Sequence, residues 1–143
     1  MGAGKPNLVI PTSIKTIKLC YTVIIPAVIL FAAVPNILLR IYTDNLSLVE
    51  SSIPSLWVML SSYLLTVPAV ILFNTVSGTG NTKHALLLEM LTLALYTVYT
   101  FVIVFHFKAD VAVCWTTEHV YSFVLLLLVV LYLKKANWRQ KNI

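Results

Sequence analysis

Charge is scarce in this chain. Five acidic and ten basic residues make up 10% of 143 positions, against 59% hydrophobic residues. A soluble domain carries about 25% charged residues, so an ordinary water-soluble globule is excluded. Cysteine is nearly missing too, with Cys20 and Cys114 alone. Placed on opposite sides of a membrane, they would lie most of ~30 Å apart, so no disulfide between them is expected. Glycine occurs four times. Gly78-x-Gly80 lacks the Lys-Ser/Thr continuation and the preceding strand of a phosphate loop, which leaves a turn. His84, His106 and His119 are far apart, and no metal-ligand or nucleophile constellation is legible. An enzyme has no support.

Long uncharged stretches are what the chain has instead. They run over 19–39, 51–82, 90–107 and 119–133. About 20 residues cross the hydrocarbon core as a helix, and only helices or closed barrels satisfy their backbone there. Continuous apolar runs without alternation fit helices. The expected fold is therefore an all-α integral membrane bundle. A loop-like arm is expected over 1–18 and a membrane region over 19–133, with spans at about 19–41, 54–76, 84–107 and 111–133. A basic tail follows over 134–143.

Asp44-Asn45 and Ser77-Gly78-Thr79-Gly80-Asn81 mark connections. Ser51 or Ser52 is the expected cap of the second span, with Pro54 in its first turn, and Thr82 that of the third. The turn near Lys108–Asp110 is short enough to make the third and fourth spans antiparallel neighbours. Pro26, Pro35 and Pro68 fall inside spans, each removing a backbone hydrogen bond. They read either as kinks of packing or as hinges.

The basic residues report orientation. Lys5, Lys15, Lys18, Lys83, Lys134, Lys135, Arg139 and Lys141 gather on one side, Arg40 and Lys108 on the other. By the positive-inside rule both termini are cytoplasmic in a cell inner (plasma) membrane. A secretory signal is a poorer reading of Lys15 and Lys18, because three further spans follow. Dispersed basic residues without interleaved aromatics do not point to nucleic acid. Trp57 and Trp138 read as interfacial anchors.

Two glutamates fall within spans. A charge near the bilayer centre costs at least ~2.5 kcal/mol, so such groups face a protein interior or a wet cavity. Glu89, Thr92, Tyr96 and Tyr99 follow at helical steps and share one face. That stripe reads as an ion or organic-cation pathway, or as interhelical glue in which Glu89 pairs with Lys83, His84 or a neighbouring helix. Glu118 and His119 form a shallower second candidate pair. Ser62, Tyr63 and Thr66 make a polar patch before Pro68, with local backbone bonding as the simple role.

Several loops resemble those of one transporter family. Pro35-Asn-Ile-Leu-Leu-Arg-Ile-Tyr-Thr-Asp44, followed by Val49, resembles the signature after the third helix of each half in multidrug and toxic compound extrusion (MATE) transporters. Val76-Ser-Gly-Thr-Gly-Asn-Thr-Lys83 resembles the glycine-bearing loop after the fourth helix. Gly2-Ala3-Gly4-Lys5 is similar to the loop before the third, and Val113-Cys-Trp115 to the turn into the sixth. The order covers essentially the whole chain, and the basic end favours the C-terminal half.

The resemblance implies the last four helices of a twelve-helix antiporter that exports small organic cations against sodium or proton entry. No other cofactor is implied. The missing helices, or another copy, would be partners beside the lipid bilayer, and the chain alone would be inactive. The tenth helix here, Ser55 to Asn74, lacks the acidic residue some members carry, and Tyr63 on it is a further substrate- or ion-pathway candidate. Met1 beside Gly2-Ala3-Gly4 suggests a start within a longer frame. The alternatives are a small four-helix exporter acting as a dimer, whose first-helix glutamate is not found here, and a noncatalytic membrane subunit with Glu89 as a lock.

Overall fold

The computed structural model describes residues 6–135, and within them four helices are long and apolar enough to cross a membrane. A 3-10 turn at Pro6–Leu8 leads into α1 (Val9–Ala33), followed by the short α2 (Pro35–Arg40). Then come α3 (Leu46–Gly78), α4 (Thr82–Phe101), the short α5 (Val111–Cys114) and α6 (Thr116–Lys135). No strand occurs among the described residues. This is the expected all-α membrane bundle.

Helix α3 is the hub, because α1, α2, α4, α5 and α6 all pack on it. The core lies where α3, α4 and α6 meet: Ala69, Val76, Ala85, Leu125 and Val129 are almost fully enclosed. Side-chain pairs give the directions. Ser13–Thr75 and Trp57–Ala32 make α1 and α3 antiparallel, Ser61–His119 and Thr66–Ser122 make α3 and α6 parallel, and Tyr99–Thr116 with Glu89–Tyr121 makes α4 and α6 antiparallel. The short connection near Lys108 has the expected consequence.

The first two spans start earlier than their charge-free stretches do. The arm expected over 1–18 is helical from Val9, since Val9 and Ile10 pack on the core and Ser13 is buried against Thr75. Lys15 and Lys18 stay exposed, as long basic side chains can at the end of a span. Cys20 therefore lies inside α1, ~17 Å from Val9, rather than at its end. Neither Cys20 nor Cys114 is in a disulfide.

The first span also stops earlier than 41. Val34, at φ −125° and ψ 51°, leaves the helix, and Pro35 starts α2. A residue before proline is pushed away from helical geometry, and proline suits a first helical position. Of the three candidate hinges, Pro35 alone sits at a chain break; Pro26 and Pro68 lie inside continuous helices.

Helix α3 begins at Leu46, not near 54. Its cap is Asn45, whose side chain accepts from the N–H groups of Ser47 (3.1 Å) and Leu48 (3.5 Å). Ser51 bonds the Leu48 carbonyl instead, and Pro54 falls in the helix interior. Asn81, rather than Thr82, precedes the first turn of α4, with its amide donating to Thr79 Oγ1 at 3.2 Å. Between α3 and α4, Gly80 takes φ 77°, a left-handed conformation that glycine adopts without steric cost.

The third span ends in a wider turn, Val102–His106, where the Phe107 N–H reaches the Val102 carbonyl five residues back at 3.1 Å. Lys108 then takes φ 47° and reverses the chain.

Candidate functional site

The α4 stripe faces α6 as a unit. Thr92 is fully enclosed, and Glu89, Tyr96 and Tyr99 are half-buried, while Leu86, Leu87, Met90, Leu93 and Val98 point outward. The helical spacing that grouped the four residues is therefore the spacing that turns them inward.

Glu89 is ~10 Å along α4 from Thr82. Its Oε1 accepts a hydrogen bond from the Tyr121 hydroxyl at 2.6 Å. Its Oε2 is buried and has no hydrogen-bond partner. Tyr121 also meets the edge of Tyr96, with ring centroids 5.9 Å apart at 84°, the edge-to-face arrangement aromatic quadrupoles favour. Farther along, Tyr99 reaches Thr116 Oγ1 at 3.0 Å. Since Thr116 donates to the Val113 carbonyl, Tyr99 is the donor in that pair. Thr92 donates to the Leu88 carbonyl of its own helix. The partner of Glu89 is thus a neighbouring helix; His84 instead lies against Tyr132, with centroids 5.4 Å apart.

The second pair divides. His119 contacts Ser61 on α3 through Nε2 at 2.9 Å. Ser61 itself donates to the Val58 carbonyl, so the network assigns the hydrogen to Nε2 and makes Ser61 the acceptor. His119 Nδ1 is buried with no partner. Glu118 is half-buried beside it in the first turn of α6. Tyr63 belongs to neither group: it is 41% exposed on the side of α3 that faces α1, lining an apolar groove.

The patch before Pro68 does more than satisfy itself. Ser62 donates to Met59 and Thr66 to Ser62, as a local role requires. Thr66 also meets Ser122 of α6 at 2.7 Å. On the other side of α3, proline at 68 leaves the Leu64 carbonyl without its i+4 donor. The Tyr21 hydroxyl of α1 supplies one. Trp57, half exposed, donates its indole N–H to the Ala32 carbonyl at the end of α1, at 3.3 Å.

Tyr121, Ser122, Thr116, Ser61 and Tyr21 are the participants that pattern reading missed. Tyr121 and Ser122 carried a signal, as polar side chains inside an apolar run. Tyr21 carried half of one, because Pro68 announces a carbonyl needing a donor without saying which helix provides it. Among the described residues, no three of His, Cys, Asp or Glu gather so that they could hold a metal ion. Gly2-Ala3-Gly4-Lys5, Trp138, Arg139, Lys141 and the 136–143 part of the tail lie outside the described residues. Compared with known proteins, the chain matches no family model, no curated protein and no solved structure.

Proposed function

We propose that this chain forms the last four helices of a MATE-type antiporter in a plasma membrane, with both termini cytoplasmic and Glu89 as an ion-coupling carboxylate. The observation that carries the coupling role is the uneven use of the Glu89 carboxyl: one oxygen held by Tyr121 at 2.6 Å, the other buried and free of partners. A carboxyl inside a span is a functional candidate because an unneeded one is selected against by its cost. An oxygen with no protein donor is where a proton or sodium ion would be taken up, and Tyr121 and Tyr96 would orient it. The loop resemblances and the basic-residue asymmetry support the family and the orientation.

Alternating access requires two bundles rocking about a shared site, so a complementary eight-helix portion would be the partner. The test is gradient-driven efflux of a fluorescent organic cation by this chain joined to such a portion. Glu89→Gln should abolish efflux with membrane insertion unchanged. Unaltered efflux removes the coupling role, and the absence of efflux from the unmodified assembly removes the antiporter.

A second reading rests on the same hydrogen bond, since it ties α4 to α6. In a noncatalytic subunit Glu89 would be an interhelical lock, worth ~0.6 kcal/mol by the average for such bonds in membranes. Glu89→Gln would then lower thermal stability in detergent and leave transport by the assembly intact.

A further inference from the structure

Two crevices follow one another along the same side of α3, at the end of the bundle opposite Lys15 and Lys83. The first, about 490 Å³, lies between α2 and the first turn of α3 and is lined by Asn36, Ile37, Arg40, Leu46, Val49 and Glu50. The second, about 240 Å³, lies between α1 and α3 and is almost wholly apolar, with Ile24, Val28, Phe31, Leu38, Met59 and Tyr63 among its walls. Both are open to the surroundings of the bundle.

Helical rise places them in depth. Leu56, at the near end of the second crevice, is six residues past Glu50, or ~9 Å along α3, and Tyr63 is ~20 Å past it. Half of a bilayer's hydrocarbon core is ~15 Å thick. The polar crevice therefore sits at headgroup level when the apolar groove sits among the acyl chains of one leaflet.

The charges select the headgroup. Arg40 and Glu50 line one crevice, both exposed, and no ion pair joins them among the described residues. Arginine binds phosphate through parallel N–H groups, and Asn36, one turn before it on α2, lines the same crevice. The Glu50 carboxylate accepts hydrogen bonds from an ammonium. An anionic headgroup would meet one cation and one anion here. A zwitterionic headgroup uses both charges.

We infer that these crevices form a binding site for phosphatidylethanolamine, its phosphate on Arg40 and Asn36, its ammonium on Glu50 and an acyl chain in the groove beside Met59 and Tyr63. The site uses neither Glu89 nor any residue of α4 or α6, so its test and the efflux test can fail separately.

The experiment is native mass spectrometry of the full chain in detergent, offered equimolar phosphatidylethanolamine and phosphatidylglycerol with identical acyl chains. The ethanolamine lipid should be retained about tenfold better, the equivalent of one charge-assisted contact. Glu50→Gln should erase that preference, and Arg40→Ala should reduce retention of both lipids, whose phosphate they share; both side chains are exposed, and circular dichroism checks that helicity is unchanged. Ala27→Phe, which fills the groove from α1, should reduce retention of both lipids and leave their ratio alone. Equal retention of the two lipids by the unmodified chain overturns the site. A preference that survives Glu50→Gln does so as well.

Discussion

The two flanks of α3 are built on different terms. Toward α4 and α6 it buries side chains, with Val76, Val129 and Ser122 at zero exposure. Toward α1 less is enclosed: no residue in the apolar 18-residue window of α1 is buried, although Leu56 and Leu60 of α3 are, beside the groove. Helix α1 is attached by polar stitches instead, at Ser13–Thr75, Tyr21–Leu64 and Trp57–Ala32. They are spaced ~12 and ~17 Å apart along α1, near its two ends and its middle. Lipid tails are as apolar as leucine, so area alone gives helices no reason to associate in a membrane. One flank is held by close packing and the other by directional bonds.

The difference is open to being broken, first through the packed flank. Leu125 is 1% exposed, while Leu30 on α1 is 59% exposed. Leu125→Ala leaves a cavity and should destabilise the bundle by ~2 kcal/mol, the low end for a buried leucine because less transfer energy is at stake in lipid. Leu30→Ala should be within ~0.5 kcal/mol of neutral. Unfolding in mixed micelles with increasing dodecyl sulfate measures both. Equal effects would mean that α1 is packed as tightly as α6.

The stitched flank has its own test. Tyr21→Phe removes the side-chain donor to a carbonyl whose i+4 partner is Pro68, and should cost ~1 kcal/mol. In a Pro68→Ala background the backbone N–H returns and satisfies Leu64 from within α3. There Tyr21→Phe should cost only a few tenths of a kcal/mol, a non-additivity that a double-mutant cycle reads directly. Strict additivity would show that the tyrosine and the proline act separately.

The same contrast explains what sequence reading reached. Existence and type of all four spans were legible, because apolar runs of that length have one solution in lipid. The third and fourth fell within two residues of the spans expected over 84–107 and 111–133. The first two did not, since charge does not mark a helix end: α1 continues past Lys15 and Lys18, and Ser13 packs beyond them. Asn45 belongs to the connection by composition, and its side chain caps α3.

At the candidate site, periodicity put Glu89, Thr92, Tyr96 and Tyr99 on one face, because angular position on a helix is set locally. Their partners were not legible. Nothing local tells Tyr121 that Glu89 lies opposite, or His119 that Ser61 does. Pairing across helices depends on crossing and register, which a single chain's pattern does not contain.

The smallest expected effect lies on the packed flank and asks whether its polar bonds matter beside its packing. Thr66 and Ser122 meet at 2.7 Å with Ser122 at zero exposure. Thr66 also donates to the Ser62 carbonyl, so Ser122 is the donor across the interface. Thr66→Val keeps the volume, removes the acceptor and strands a buried hydroxyl, for ~0.6 kcal/mol of lost stability in dodecyl sulfate unfolding. Adding Ser122→Ala removes the stranded group as well, and a pair replaced on both sides by apolar atoms is nearly neutral. The double variant should therefore recover most of what the single one lost. If it falls further instead, the serine contributes to α3–α6 packing by its shape rather than by its hydrogen bond, which leaves Ser61–His119 as the stitch between those helices.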